Sequence, residues 1–117
     1  MYLFVLVLNK VELLEDVLEK LVQVGISGAT IIDSTGMGRA LADLDNDLLL
    51  SGIRSIFQYS RPQNKTIFSV VDSAEKKNQI IKAIPEVLGD LSQPGVGIMF
   101  TLPLDQIIGI NGSPSRL

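Results

Sequence analysis

The sequence predicts an α/β domain, an antiparallel sheet with two helices on one of its faces. Three observations predict it. The apolar spacing runs strand, helix, strand, then a long excursion, then strand, helix, strand. The switches between periods of two and 3.6 are sharp and marked by glycine, proline or a capping serine. Three of the strands are apolar on both sides, as in a buried sheet.

Tyr2 to Leu8 is an uninterrupted apolar run that suits a central strand, broken by Asn9 and Lys10. From Val11 to Val24, Leu14, Val17, Leu18, Leu21 and Val22 recur at three and four, giving one helical face. Glu12, Glu15, Asp16 and Glu19 cover the other face, with acids toward the N-terminus as the helix dipole favours. Gly25 stands where a left-handed cap ends a helix. Ala29 to Ser34 is rich in β-branched residues and predicts a second strand. The excursion from Thr35 to Asn64 ends in Arg61-Pro62-Gln63-Asn64, which reads as a turn. Within it, Leu49, Ile53, Ile56 and Phe57 have helical spacing between Asp47 and Tyr59, which reads as a helix packed on the body or as a docking surface for a partner. Thr66 to Val71 predicts the third strand, and Asp72 to Glu75 a capping box. The second helix runs through Ile80, Ile81 and Ile84 until Pro85, where a missing N–H is expected to interrupt it. Gln93 to Gly97 is a glycine-bearing loop, Ile98 to Leu102 the fourth strand, and Ile107 to Ile110 a short edge strand.

Two βαβ units in this order make the ferredoxin-like sandwich. Residues 1–110 form the domain, and 111–117 a flexible C-terminal tail. With both helices on one face, the other face of a monomer should alternate toward polar. It does not: Leu3, Val5 and Val7 oppose Phe4, Leu6 and Leu8, Phe68 and Val70 oppose Ile67 and Val71, and Ile98, Phe100 and Leu102 oppose Met99. A wet apolar face of that size exceeds what monomers tolerate, so a second copy of the chain is the expected cover, the alternative being that the middle segment folds back over it.

Composition excludes several functions. The chain has 117 residues, 46% of them hydrophobic, and a net charge of -3, which gives no general attraction to nucleic acid. No apolar run reaches the ~18 residues of a membrane span, so the expected location is the cytoplasm. Neither cysteine nor histidine occurs, which removes disulfides, the usual general base and nearly every zinc site. No catalytic residue and no metal ligand is therefore assigned, and the chain is expected not to be an enzyme. Asp43, Asp45 and Asp47 open like a calcium loop, but Leu48 and Arg54 stand where glycine and glutamate are needed. Asn111-Gly112-Ser113 matches a glycosylation sequon without a secretion signal to give it meaning.

The strongest local signal runs from Val24 to Arg39, a helix end and a strand leading into Gly36-Met37-Gly38-Arg39. Glycines there let backbone N–H groups approach a phosphate, and Arg39 supplies charge. Leu41 stands where a dinucleotide fingerprint would carry its third glycine.

That block resembles the corresponding stretch of the PII signalling proteins, regulators of nitrogen and carbon metabolism. The likeness continues from Asn64 to Asp72 and from Gly95 to Ile110. The resemblance implies a homotrimer with an adenine nucleotide or related anion in the clefts between subunits, and no cofactor that is required. It also implies a target protein, an enzyme or a transporter, contacted through segment 40–64. Position by position, Gly36, Met37, Gly38 and Arg39 match the loop bordering the nucleotide, Val70 a strand position beside it, and Gly95 and Gly97 the phosphate-holding loop. The match is incomplete. Val96 replaces an acid, Ala40 a glutamine, Ile98 a lysine, and Gly109 and Asn111 two arginines. Each lost charge-assisted hydrogen bond is worth ~1.5–3 kcal/mol, which counts against standard ATP binding. Tyr59 lies near the family's modified tyrosine but in a different context.

The expected function is a PII-like regulator that binds a small effector and modulates a partner protein. The alternative is a trimeric interaction module that needs no ligand. A CutA-like metal protein shares the fold but lacks support without histidine or cysteine, and an acylphosphatase would need an arginine loop where Asn9-Lys10-Val11 stands.

Overall fold

The computed structural model describes residues 1–26, 28–42 and 63–109. Strand β1 (Tyr2–Leu8) leads through a 3-10 turn (Val11–Leu13) into helix α1 (Leu14–Gln23), and β2 (Thr30–Ser34) is followed by the short helix α2 (Met37–Ala42). Then come β3 (Asn64–Val71), helix α3 (Ala74–Leu88) and β4 (Gly97–Pro103). The sheet order is β2-β3-β1-β4, with every neighbouring pair antiparallel. This is the ferredoxin-like arrangement that the sequence predicts.

Register decides which apolar set goes under the helices. Phe4, Leu6 and Leu8 of β1 and Ile67 and Val71 of β3 are fully buried beneath Val17 and Leu21 of α1 and Ile80, Ile84 and Leu88 of α3. Each such burial contributes ~1.5–3 kcal/mol. Ser69 shares that face, and its hydroxyl donates to the Gly28 carbonyl, tying the loop before β2 to the sheet. On the opposite face Leu3, Val5 and Val7 pair with Val70, Phe68 and Thr66 on one side, and with Leu102, Phe100 and Ile98 on the other. No described helix covers this face. Ile98 is 58%, Phe100 45% and Leu102 39% exposed.

Several local expectations change. The turn before α1 takes 3-10 form over Val11–Leu13, so the α-helix proper begins at Leu14. Gly25 does cap it, at φ +93. The N-cap of α3 is Ser73, whose hydroxyl accepts from the Lys76 N–H at 3.1 Å. Lys76 therefore occupies the position where a capping box needs an acid, and the reciprocal arm is absent. Pro85 does not end α3. The helix runs on to Leu88, because Ile84 and Leu88 are buried and outweigh one lost backbone bond. Asn64 belongs to β3 rather than to a turn, since its backbone pairs with Ser34. Residues 107–109 are not strand, whereas α2 had no signal in the apolar pattern. The helical spacing at 47–59 and the tail 111–117 lie outside the described residues.

Between α3 and β4, Asp90 organises a tight turn. Its carboxylate accepts from the Ser92 hydroxyl at 2.6 Å and from the Ser92 N–H at 2.9 Å. Those bonds, the hydroxyl first, hold its carboxyl below the ordinary value of 3.8. The stabilisation is present above that value and lost as pH falls through the lower folded one. An NMR titration should place the Asp90 midpoint below 3.8, and Ser92→Ala should raise it.

Gly97 is fixed by close approach. At φ +153, an added Cβ would lie 2.5 Å from the Val7 carbonyl oxygen. Gly97→Ala should cost about 2–3 kcal/mol in a urea unfolding titration.

Candidate functional site

Antiparallel pairing gathers polar residues at one end of the sheet. There β1 and β2 finish and β3 and β4 begin, with Ser34 opposite Asn64 and Leu8 opposite Gly97. Alternation puts Ser34, Asn64 and Thr66 on the open face, the face otherwise filled by Val5, Phe68 and Phe100. The apolar face thus has a polar end.

Asn64 is the centre of that end and is 6% exposed. Its Oδ1 accepts from the Ser34 hydroxyl, and its Nδ2 donates to Asn9 Oδ1 at 3.2 Å. The Ser34 Oγ also lies 2.8 Å from the Thr66 hydroxyl, which can donate to it. No buried side-chain nitrogen or oxygen among the described residues lacks a partner. A buried amide so satisfied is rigid, because breaking one arm would leave a desolvated group unpaired.

Two glycine turns flank this network. On one side Gly36 precedes α2, its carbonyl accepting from the Ala40 N–H at 3.0 Å. Met37 is 67% exposed, Gly38 is buried, and Arg39 follows on α2. On the other side Gly95 adopts φ +79, and the Val96 carbonyl accepts from the N–H groups of Asn9 at 3.1 Å and Lys10 at 3.3 Å. The Val96 side chain is buried in the core, which suits an apolar residue at this position.

The glycines differ in what the fold asks of them. Gly97 is forced by the Val7 carbonyl, and Gly95 by its positive φ. Gly36 is forced by neither. Its φ is not positive, and among the described residues an added Cβ would meet only Asn64 Nδ2, at 3.6 Å, an ordinary contact.

Gly36, Met37, Gly38 and Arg39 therefore stand at the same end of the sheet as Gly95 and Gly97, linked through Asn64 and Asn9. Val70 does not join them. It pairs with Leu3 at the far end of the open face, six residues along β3 and so ~20 Å away. Ile98 is exposed beside the second turn, and Gly109 lies beyond β4. The Lys10 side chain has no hydrogen bond or ion pair with any described residue, and Lys65 is paired with Asp33. Asn9, Ser34, Asn64 and Thr66 lie in no sequence motif that marks them as part of this end. Their signal was faint: polar side chains at alternate positions where each strand meets the same end.

Chemically, this end offers backbone N–H groups, amides, hydroxyls and cations. No group of acidic residues able to hold a metal occurs among the described residues. No described helix is long and apolar enough to cross a membrane.

The model of the nitrogen regulatory protein P-II family matches residues 3–113. No curated protein matches the chain. The matched span takes in both glycine turns, the polar network between them and both helices of the covered face. With the sheet order and a match over nearly its whole length, the chain belongs to the nitrogen regulatory protein P-II family.

Proposed function

We propose that this P-II family regulator assembles as a homotrimer, binds a small anionic effector between subunits, and thereby changes its contact with a target protein through segment 40–64. The observation that carries the effector site is Gly36. The backbone does not require glycine there, yet a side chain would project beside the buried Asn64 amide, where an effector would approach. Trimerisation is supported by the open face, whose exposed Ile98, Phe100 and Leu102 continue an apolar surface across β1 and β3. A closed ring would cover that face head to tail. It would also bring the Val70 end of one subunit toward the glycine turns of the next, reuniting residues that a single chain holds apart.

The effector is an adenine nucleotide or a related anion. Ile98, Gly109 and Asn111 in place of cations favour AMP, ADP, a cyclic dinucleotide or a small anion over ATP. Regulation, not catalysis, fits a chain without histidine or cysteine. The action takes place in the cytoplasm. A second reading, a trimeric interaction module without ligand, is favoured by the same apolar Ile98 beside the glycine turn.

Light scattering should give a mass three times the 12.7 kDa of one chain, and Phe100→Asp should yield monomers. A monomeric wild type would remove the basis for a site between subunits.

A thermal-shift screen against ATP, ADP, AMP, cyclic dinucleotides, 2-oxoglutarate and bicarbonate tests the effector. A ligand at a hundred times its Kd adds ~2.7 kcal/mol, a shift of several degrees. The shift should vanish in Arg39→Ala and shrink in Gly36→Ala, whose unliganded stability should stay within about 0.5 kcal/mol of wild type. A trimer that no compound stabilises supports the second reading.

A further inference from the structure

We infer that Asn64 is a positioning residue that couples the two glycine turns, so that a displacement at one is felt at the other through a single buried amide. The path is short and continuous. Ser34, two residues before Gly36, donates its hydroxyl to Asn64 Oδ1. Asn64 Nδ2 donates to Asn9 Oδ1 at 3.2 Å. The Asn9 N–H then donates to the Val96 carbonyl at 3.1 Å, between Gly95 and Gly97. Nothing else in this path has a side chain that reaches both sides. β2 and β4 are the two edges of the sheet, so the backbone ladder passes from one turn to the other only by way of both central strands, through Ser34–Asn64, Lys65–Leu8 and Leu8–Gly97.

The chemistry of the amide suits this task. An asparagine side chain presents one acceptor and two donors on a rigid plane, so its two arms cannot move independently. At 6% exposure water cannot replace a lost arm, and the amide rotates as a unit when either partner moves. Thr66 steadies the Ser34 hydroxyl from the side, 2.8 Å away, which leaves the Ser34 proton directed at Asn64. The coupling itself needs no ligand. That it sets the spacing of an effector's two contact loops rests on the function proposed above.

The test begins with isotope-labelled protein without ligand. Ser34→Ala should change the amide shifts and raise the exchange rates of Gly95 and Gly97, although Ser34 touches neither. In an Asn64→Leu background, similar in size but without the amide, the same Ser34→Ala change should no longer reach them. Asn64→Asp should keep the coupling, because its carboxylate still accepts from Ser34 and the Asn9 amide can turn to donate to it. If Asn64→Leu does not fold, Asn9→Ala cuts one arm and serves in the same comparison. Effects of Ser34→Ala confined to β2, β3 and the first turn would overturn the coupling, as would effects at Gly95 and Gly97 that survive loss of the amide.

A second arm uses ADP as the probe. If wild type binds it, Ser34→Ala and Asn9→Ala should each weaken binding about tenfold, with the double variant little worse than either. Fully multiplicative losses would count against the coupling. If ADP binds to no variant, wild type included, the proposed effector is at fault, and the ligand-free exchange data still decide the coupling.

Discussion

Everything distinctive about this domain depends on the pairing of β1 between β3 and β4. That register places Phe4, Leu6 and Leu8 under the two long helices and, by the two-residue period of a strand, turns Leu3, Val5 and Val7 the other way. Slipping it by one residue would exchange the two sets. Both sets are apolar, so the helices satisfy only half of what the central strand carries. The half that no described helix covers is a continuous surface from Phe68 across Val5 to Phe100. The subunit association and the site between subunits proposed for this chain both rest on this unbalanced strand.

The same pairing explains why the polar groups collect where they do. Antiparallel strands bring the end of β1, the end of β2 and the starts of β3 and β4 to one edge of the open face. Asn9, Ser34 and Asn64 meet there because Asn9 directly follows β1, Ser34 ends β2 and Asn64 begins β3. A buried amide network would be costly at the centre of the sheet, where its neighbours are aliphatic. At the end it satisfies itself and gives two glycine turns a rigid base. Rigidity under a loop is what lets backbone N–H groups hold a fixed geometry toward a ligand.

Glycine has different meanings at different points of this end. Gly97 serves the fold, since the strand beside it leaves no room for a Cβ. Gly95 serves the turn through its positive φ. Gly36 serves neither, and its bareness stands out only once the first two are explained. Composition alone would count the three as equivalent.

Much of the architecture was legible in the sequence. The apolar run at Tyr2–Leu8, the helical spacing from Leu14 to Val22 and the β-branched strand before Ser34 specify their own elements, because periodicity and burial are local signals. The paired glycines at 36 and 38 and at 95 and 97 were legible too, as was the excess of apolar sheet surface. Tertiary structure decided the rest. Pro85 reads as a helix end, yet the burial of Ile84 and Leu88 carries the helix past it. Asn64 reads as part of a turn, yet pairing with Ser34 makes it the start of a strand and the centre of a network. Which apolar face lies under the helices depends on register between residues some sixty positions apart, and no local pattern encodes that. Val70 falls away from the glycine turns for the same reason. Position along a strand is written in the sequence, but distance between strand ends exists only after the sheet has formed.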